Sequence, residues 1–208
     1  MYTIQQYRVA EHLFEIGIDT DSTLQERMQE SYSPFQVEDA SGNCLFRLMI
    51  VDNLGAVNPT LVYSNKDNVD LGYIAMNIYK DENGQYLFEF INPELNQTNA
   101  SLWISNNYKE AKIALAGTDT QQWYAFNLGV NFCYLLAAAR LSTVLCHASC
   151  VMYQNKAWLF LGKSGTGKST PIQPANFIIL AIDIIVSKLC ISPLVSSQNT
   201  RCTLRQKH

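Results

Sequence analysis

The sequence predicts an α/β protein, α+β in its overall arrangement, with an antiparallel β-rich N-terminal domain, one buried helix and the opening strands of a second domain. Two observations predict it. Short apolar and aromatic runs separated by turn residues fill the first part of the chain, and the hydrophobic period becomes helical after Gly117. The 208 residues, 48% of them hydrophobic and 16% charged, are enough for a globular core.

Two predicted hairpins account for most of the β-rich domain. Residues 71–79 and 85–91 flank the turn sequence Asp-Glu-Asn-Gly. Residues 101–105 and 109–116 flank a pair of asparagines. Apolar runs around such turns are typical of hairpins, and successive strands with short connections favour antiparallel pairing. Earlier in the chain, a short helix is expected at residues 24–29.

A long helix is predicted after Gly117. Asp119 or Thr120 can cap its first turn, and large apolar residues follow at helical spacing on both faces. A helix that is apolar on both faces is usually buried between two layers. Two strands are predicted to follow the helix, at residues 143–153 and 157–161.

Charge and cysteine content exclude several classes of protein. Lys and Arg total 15 against 18 Asp and Glu, so no large basic surface for nucleic acid is expected. Six cysteines without a CxxC pair, and an N-terminus that does not resemble a secretory signal, favour reduced thiols and a cytoplasmic location. The apolar stretches 123–145 and 177–195 both contain charged residues, so neither is expected to span a membrane.

The strongest motif lies at residues 162–169, where Gly-Lys-Ser-Gly-Thr-Gly-Lys-Ser fits GxxxxGK[ST] at every fixed position. Glycines let backbone N–H groups turn towards a phosphate, and a following helix adds its positive end. Lys168 is expected to reach the β- and γ-phosphates of ATP, and the Ser169 hydroxyl to hold Mg²⁺. The predicted cofactor-binding residues are Gly162, Ser164, Gly165, Thr166, Gly167, Lys168, Ser169 and Thr170.

Residues 145–170 also resemble a known family. The segment His-Ala-Ser that begins at His147, then Trp-Leu-Phe-Leu and the glycine-rich loop, resemble the start of the catalytic domain of HPr kinase/phosphorylase. The wider group is similar to phosphoenolpyruvate carboxykinases in this loop. The resemblance implies ATP-dependent phosphotransfer to an unidentified acceptor, either a protein or a small molecule. It also implies that His147 lies near the phosphates as a catalytic candidate, whereas a structural core histidine is the alternative.

The chain departs from this family directly after the loop. The family continues into a long helix and a strand that ends in acidic residues for Mg²⁺. Here Pro171 and Pro174 follow the loop, and a proline in a helix interior costs about 3 kcal/mol. Asp183, within the apolar run 177–186, is the acidic candidate for the metal. Residues 171–208 contain no glycine and no glutamate, which favours a truncated or frame-disrupted protein with an unrelated tail.

These patterns predict three segments, namely a β-rich domain at 1–117, a helix with strands and the P-loop at 118–170, and an atypical tail at 171–208. The favoured function is ATP-dependent phosphotransfer impaired by truncation. The alternative is a non-enzymatic β-rich interaction module with a vestigial loop. Strands 145–153 and 157–161 are expected to keep an unpaired or poorly covered edge, so self-association is also expected.

Overall fold

The computed structural model describes residues 2–19, 23–38, 41–55, 58–66, 75–153, 156–161, 178–186 and 201–202. The chain divides into two compact units, Met1–Ala137 and Ala138–His208. A nine-stranded sheet lies in the first unit and a four-stranded sheet in the second. The architecture is mixed α/β with a large sheet, as predicted. The long helix, which the sequence pattern groups with the P-loop segment, falls almost entirely within the first unit.

The described helices and strands are named here in chain order. In chain order they begin with β1 (Tyr2–Val9), β2 (His12–Asp19), α1 (Thr23–Tyr32), β3 (Gln36–Val37), β4 (Cys44–Val51), β5 (Thr60–Ser64), β6 (Ala75–Lys80), β7 (Tyr86–Asn92), β8 (Gln97–Ile104), β9 (Glu110–Leu115) and α2 (Asp119–Ala138). They continue with β10 (Val144–Tyr153), β11 (Lys156–Leu161), β12 (Ile178–Val186) and β13 (Arg201–Cys202).

The large sheet has the strand order β3-β1-β2-β4-β9-β8-β7-β6-β5. Neighbouring strands are antiparallel except at the centre, where β4 runs parallel to both β2 and β9. The prediction of an antiparallel domain is therefore wrong at this point. Parallel neighbours need a crossover connection. The chain provides one through α1 between β2 and β4, and a second through strands β5 to β8 between β4 and β9.

Both predicted hairpins form, as β6–β7 and β8–β9. In the first turn, Asp81 Oδ1 accepts a hydrogen bond from the backbone N–H of Gln85 at 2.8 Å. Gly84 has a φ of +77°, a left-handed conformation that glycine adopts without steric cost. In the second turn, the backbone N–H of Ser105 donates to the carbonyl of Glu110 at 2.9 Å. The turn residues therefore close the two hairpins that the sequence predicts.

The strand at one end of the sheet, β5, contains an irregularity. Its register against β6 shifts between Leu61 and Tyr63, which leaves Val62 as an extra residue of the kind found in a β-bulge. The side chains of Leu61, Val62 and Tyr63 are 51%, 55% and 51% exposed. Among the described residues, β5 pairs with β6 alone.

A capping box starts α2. The Thr118 hydroxyl accepts the backbone N–H of Gln121 at 3.4 Å, and Gln121 Oε1 accepts the backbone N–H of Thr118 at 2.8 Å. The predicted caps, Asp119 and Thr120, are therefore wrong. A glutamine three residues after Thr118 completes the reciprocal pair, and Asp119 is already the first helical residue.

One face of α2 packs closely on the sheet. The ring of Phe132 contacts those of Phe88 and Phe90, with 5.3 Å between ring centroids in each case. A Cβ added at Gly129 would lie 2.6 Å from Ile113 Cδ1, a distance that a side chain could not tolerate without a shift. Glycine therefore permits the close approach of the helix to β9.

The opposite face of α2 is open. Tyr124 is 60% exposed and Leu135 is 40% exposed. The prediction of a helix buried on both faces is therefore wrong, because apolar side chains also form much of a protein's ordinary surface and do not by themselves indicate a covering layer. Within the described part of the chain, no helix has the length and apolar character needed to cross a membrane.

The short helix predicted at residues 24–29 is present and longer, as α1 at Thr23–Tyr32. Leu24 and Met28 are buried. At its end, the Tyr32 hydroxyl donates to Asn127 Oδ1 of α2 at 2.8 Å, and its ring lies 5.8 Å from that of Phe126. These contacts with α2 explain why the helix extends beyond its own apolar pattern.

The second sheet has the order β12-β10-β11-β13, and its neighbouring strands are antiparallel. The strands predicted at 143–153 and 157–161 are confirmed as β10 and β11. The apolar run around Asp183 forms β12. The expected unpaired edge is wrong for β10, because β12 supplies its second neighbour. On its outer side, β11 pairs with β13 at Ala157 and Trp158.

Candidate functional site

The strand before the glycine-rich loop ends as the motif requires. β11 ends at Leu161, and Gly162 is the first residue of the motif. Residues 162–170 lie outside the described residues, and so do the predicted cofactor-binding residues and the Mg²⁺ ligand Ser169. Pro171 and Pro174 also lie outside them. The described strands nevertheless show where in the sheet the chain enters the loop, at the end of β11.

Three neighbouring strands bring the predicted site features to one level of the sheet. Ala148 of β10 is the register partner of Leu161, the last residue of β11. His147, the residue before Ala148 in β10, is the register partner of Asp183 of β12. The backbone positions of the candidate catalytic histidine, the candidate metal carboxylate and the residue before the loop therefore form one row, which we call the 147–183 row.

The direction of the strands adds to this juxtaposition. β11 and β12 are both antiparallel to β10 and therefore run in the same direction. Their carboxyl ends lie at the same edge of the sheet, and the chain enters the motif from that edge after Leu161. The 147–183 row therefore lies towards the end of the sheet from which the chain enters the motif.

A group of polar side chains that the sequence analysis missed lies on the large sheet. Phe14 faces the helices through its ring contact with Tyr134 of α2, so the alternation of β2 directs Glu15 to the opposite, open face. There Gln6 Nε2 donates to Glu15 Oε1 at 3.0 Å, and Arg47 Nε donates to Glu15 Oε2 at 2.7 Å. The hydrogen bond from Gln6, followed by the hydrogen bond and charge of Arg47, outweighs desolvation and lowers the pKa of Glu15.

A second polar network lies on β6 and β7. The Tyr79 hydroxyl donates to Glu89 Oε2 at 2.8 Å, and Asn77 Nδ2 donates to the same oxygen at 3.0 Å. Burial and then the interaction with Glu89 raise the pKa of Tyr79. Tyr79 and Glu89 line a cavity of about 580 Å³ together with Asp52 and Ser101. The alternation of the predicted hairpin was the sequence signal that could have placed these residues on one face.

Another cavity, of about 450 Å³, lies between the β7–β8 turn and the first turns of α2. Its lining includes Phe90, Pro93, Thr120, Tyr124 and Leu128. Among the described residues, no group of three or more His, Cys, Asp or Glu side chains could hold a metal ion.

No family model, curated protein or solved structure matches this chain. Its function must therefore be inferred from its own residues. The two features that bear on function are the motif at residues 162–169 and the 147–183 row beside it.

Proposed function

We propose that the chain binds Mg²⁺-ATP through residues 162–170 and is an ATP-dependent phosphotransferase of the HPr-kinase-like type. The main support is a complete GxxxxGK[ST] motif that begins directly after strand β11. The 147–183 row gives further support, since His147 lies on β10, the strand beside β11, and Asp183 is its register partner on β12, the next strand of the sheet.

Each residue has a distinct task in this proposal. The backbone N–H groups of residues 165–170 surround the phosphate oxygens, and Lys168 neutralises their charge. Ser169 holds Mg²⁺, and Asp183 is the acidic group that completes the metal's oxygen ligands. The bound metal supplies a positive charge that offsets the charge developing on the transferred phosphate. His147 is the candidate catalytic residue near the phosphates, and both the acceptor and the group that activates it are unassigned.

The decisive experiment is calorimetric titration of the full chain with ATP in the presence of Mg²⁺. We expect Lys168→Ala to weaken binding by at least about tenfold, because a charge-assisted hydrogen bond contributes about 1.5–3 kcal/mol. Lys163→Ala is the matched control, since this lysine occupies an unconstrained position of the same loop. The control should retain wild-type affinity.

Two outcomes would contradict the proposal. Identical heats for the wild type and Lys168→Ala would exclude phosphate binding by the loop and would favour the non-enzymatic interaction module. Equal weakening by Lys163→Ala and Lys168→Ala would show that ATP is attracted by charge in general. Wild-type affinity is expected to be modest, because Pro174 opposes a helix directly behind the loop.

A further inference from the structure

The cavity beside the start of α2 has no part in the proposed phosphotransfer. It lies within the first unit, between the β7–β8 turn and the first turns of α2. Its lining residues all fall within residues 90–128, a stretch that the structure describes without a gap. Its volume of about 450 Å³ is within the range of about 300–1,000 Å³ that is typical of small-molecule sites. The lining indicates the chemistry of the molecule that would fit.

One wall of the cavity is apolar and aromatic. Phe90 is 2% exposed, whereas Tyr124 is 60% exposed, and both line the cavity. The ring of Tyr124 contacts no other aromatic ring in the described part of the chain. Leu128, one helical turn further along α2, continues the same surface. A flat ring in the cavity would cover the exposed face of Tyr124, and such ring pairs add to the energy of apolar burial.

The β7–β8 turn fixes the orientation of one amide in the lining, that of Asn92. The backbone N–H groups of Glu94 and Leu95 both donate to the same Asn92 atom, at 2.9 and 3.2 Å. An NH₂ group has no acceptor to offer them, so this atom is the amide oxygen. Asn92 Nδ2 makes no hydrogen bond with another described residue. The turn therefore leaves Asn92 as a hydrogen-bond donor at the cavity.

The capping box of α2 does the same for Gln121. Gln121 Oε1 accepts the backbone N–H of Thr118 at 2.8 Å and the Thr118 hydroxyl at 3.2 Å. A Cβ at Gly117 would overlap with this oxygen, so the glycine makes room for the amide. Gln121 Nε2 has no partner among the described residues. Two half-buried NH₂ groups, each held by a local turn or cap, therefore belong to one cavity.

The charge of the lining narrows the choice of ligand. No Lys, Arg or His is among the described residues that line the cavity, and Glu94, which is exposed, is the acidic one. A carboxylate ligand would therefore meet no positive side chain in this lining, and Glu94 would repel it. An uncharged oxygen acceptor matches the two free NH₂ groups without that cost.

We propose that this cavity binds an uncharged aromatic carbonyl compound, a flat ring that carries a ketone, ester or amide oxygen. Asn92 and Gln121 are the donors to that oxygen, and Tyr124 and Leu128 pack against the ring. The first unit is then a ligand-binding module in its own right, whether or not the loop in the second unit binds ATP.

The test is an NMR titration of the full chain with acetophenone, followed through the side-chain NH₂ signals of Asn92 and Gln121. We expect saturable shifts of both signals and of backbone amides in residues 92–95 and 120–125. Ethylbenzene, which has a similar shape but no oxygen, is titrated in parallel. Comparing the two probes separates recognition of the carbonyl group from binding of an aromatic ring.

Gln121→Glu is the principal variant, because it keeps an oxygen for the capping box and removes the NH₂ group. It should weaken acetophenone binding at least about threefold and leave ethylbenzene binding unchanged, since a neutral hydrogen bond contributes about 0.5–1.5 kcal/mol. Asn92→Asp keeps the oxygen that the turn needs and provides a second variant with the same expected result. Asn96→Asp is the matched control. Asn96 is an exposed residue of the same turn outside the described lining, with a φ of +48° that aspartate also tolerates.

Three results would overturn the proposal. The first is the absence of saturable shifts with acetophenone. The second is an equal loss of acetophenone and ethylbenzene affinity in Gln121→Glu and Asn92→Asp, which would show that the amides act on the shape of the cavity alone. The third is a weakening by Asn96→Asp as large as that by Asn92→Asp.

Discussion

The two faces of the large sheet hold their side chains by different interactions. On the face that meets the helices, the rings of Phe14 and Phe46 stack with centroids 5.0 Å apart, and Tyr7 stacks on Phe14 at 5.6 Å. One residue along each strand, on the open face, Glu15 and Arg47 form an ion pair at 2.7 Å. Residues that are adjacent in a strand therefore stabilise the sheet by different interactions, apolar packing on the helix-covered face and an ion pair on the open face.

The largest expected effect is the loss of an aromatic ring from the helix-covered face. Phe14 is 2% exposed, and Phe14→Ala should lower the free energy of unfolding by about 3–5 kcal/mol, because a cavity remains among the neighbouring rings. Ile4→Ala is the control on the open face, where Ile4 is 48% exposed. It should cost about 1 kcal/mol or less. Urea unfolding measures both, and similar losses would show that the two faces do not differ.

A smaller effect is expected on the open face. The Glu15 side chain is 11% exposed and that of Arg47 is 44% exposed, so solvent screens the pair only partly. Arg47→Ala should cost about 1–2 kcal/mol, since Glu15 then loses a charged donor. Arg8→Ala, at an exposed position of β1, should cost little.

A double-mutant cycle sharpens this second prediction. If the ion pair is the cause, Glu15→Gln combined with Arg47→Ala should cost less than the sum of the single changes, as measured by urea unfolding. Strictly additive losses would show that Arg47 stabilises the sheet through its hydrocarbon stem.

The smallest effect is a dependence on pH. The folded-state pKa of Glu15 is lowered, so its contribution is present above the unfolded value of about 4.3 and is lost as pH falls through the folded pKa. We expect Glu15→Gln to lose less stability than the wild type between about pH 6 and about pH 3. Urea unfolding at several pH values measures this difference. The same acid sensitivity in Glu15→Gln and the wild type would show that other carboxylates control it, and Glu94→Gln serves as the exposed control.

The features that the sequence predicted well are decided by residues close together in the chain. The hairpin around residues 81–84 forms because Asp81 and Gly84 satisfy the turn locally. The long helix and the strand that ends at Leu161 follow from a change in hydrophobic period and from the glycine-rich motif. Phosphate binding by the motif stays a prediction, because residues 162–170 lie outside the described residues.

The features that sequence reasoning missed depend on distant partners. β4 lies between β2 and β9 and is parallel to both, and these two strands come from distant parts of the first unit's sequence. The pairing of His147 with Asp183 depends on a register shift between His147 and Cys150. A regular ladder continued from Cys150 and Ala181 would pair His147 with Ile184 instead. No local sequence pattern in β10 indicates this register shift, so the sequence alone could not predict the 147–183 row.

The extra residue at Val62 has a consequence for how far the large sheet can grow. A regular strand with three exposed apolar residues would be an effective template for a strand from another molecule. The register shift interrupts the ladder in the middle of β5, and natural sheets use such interruptions to discourage further pairing. We therefore expect the interruption to limit edge-to-edge pairing of β5 with a second copy of the chain, even though the exposed side chains of the strand are apolar.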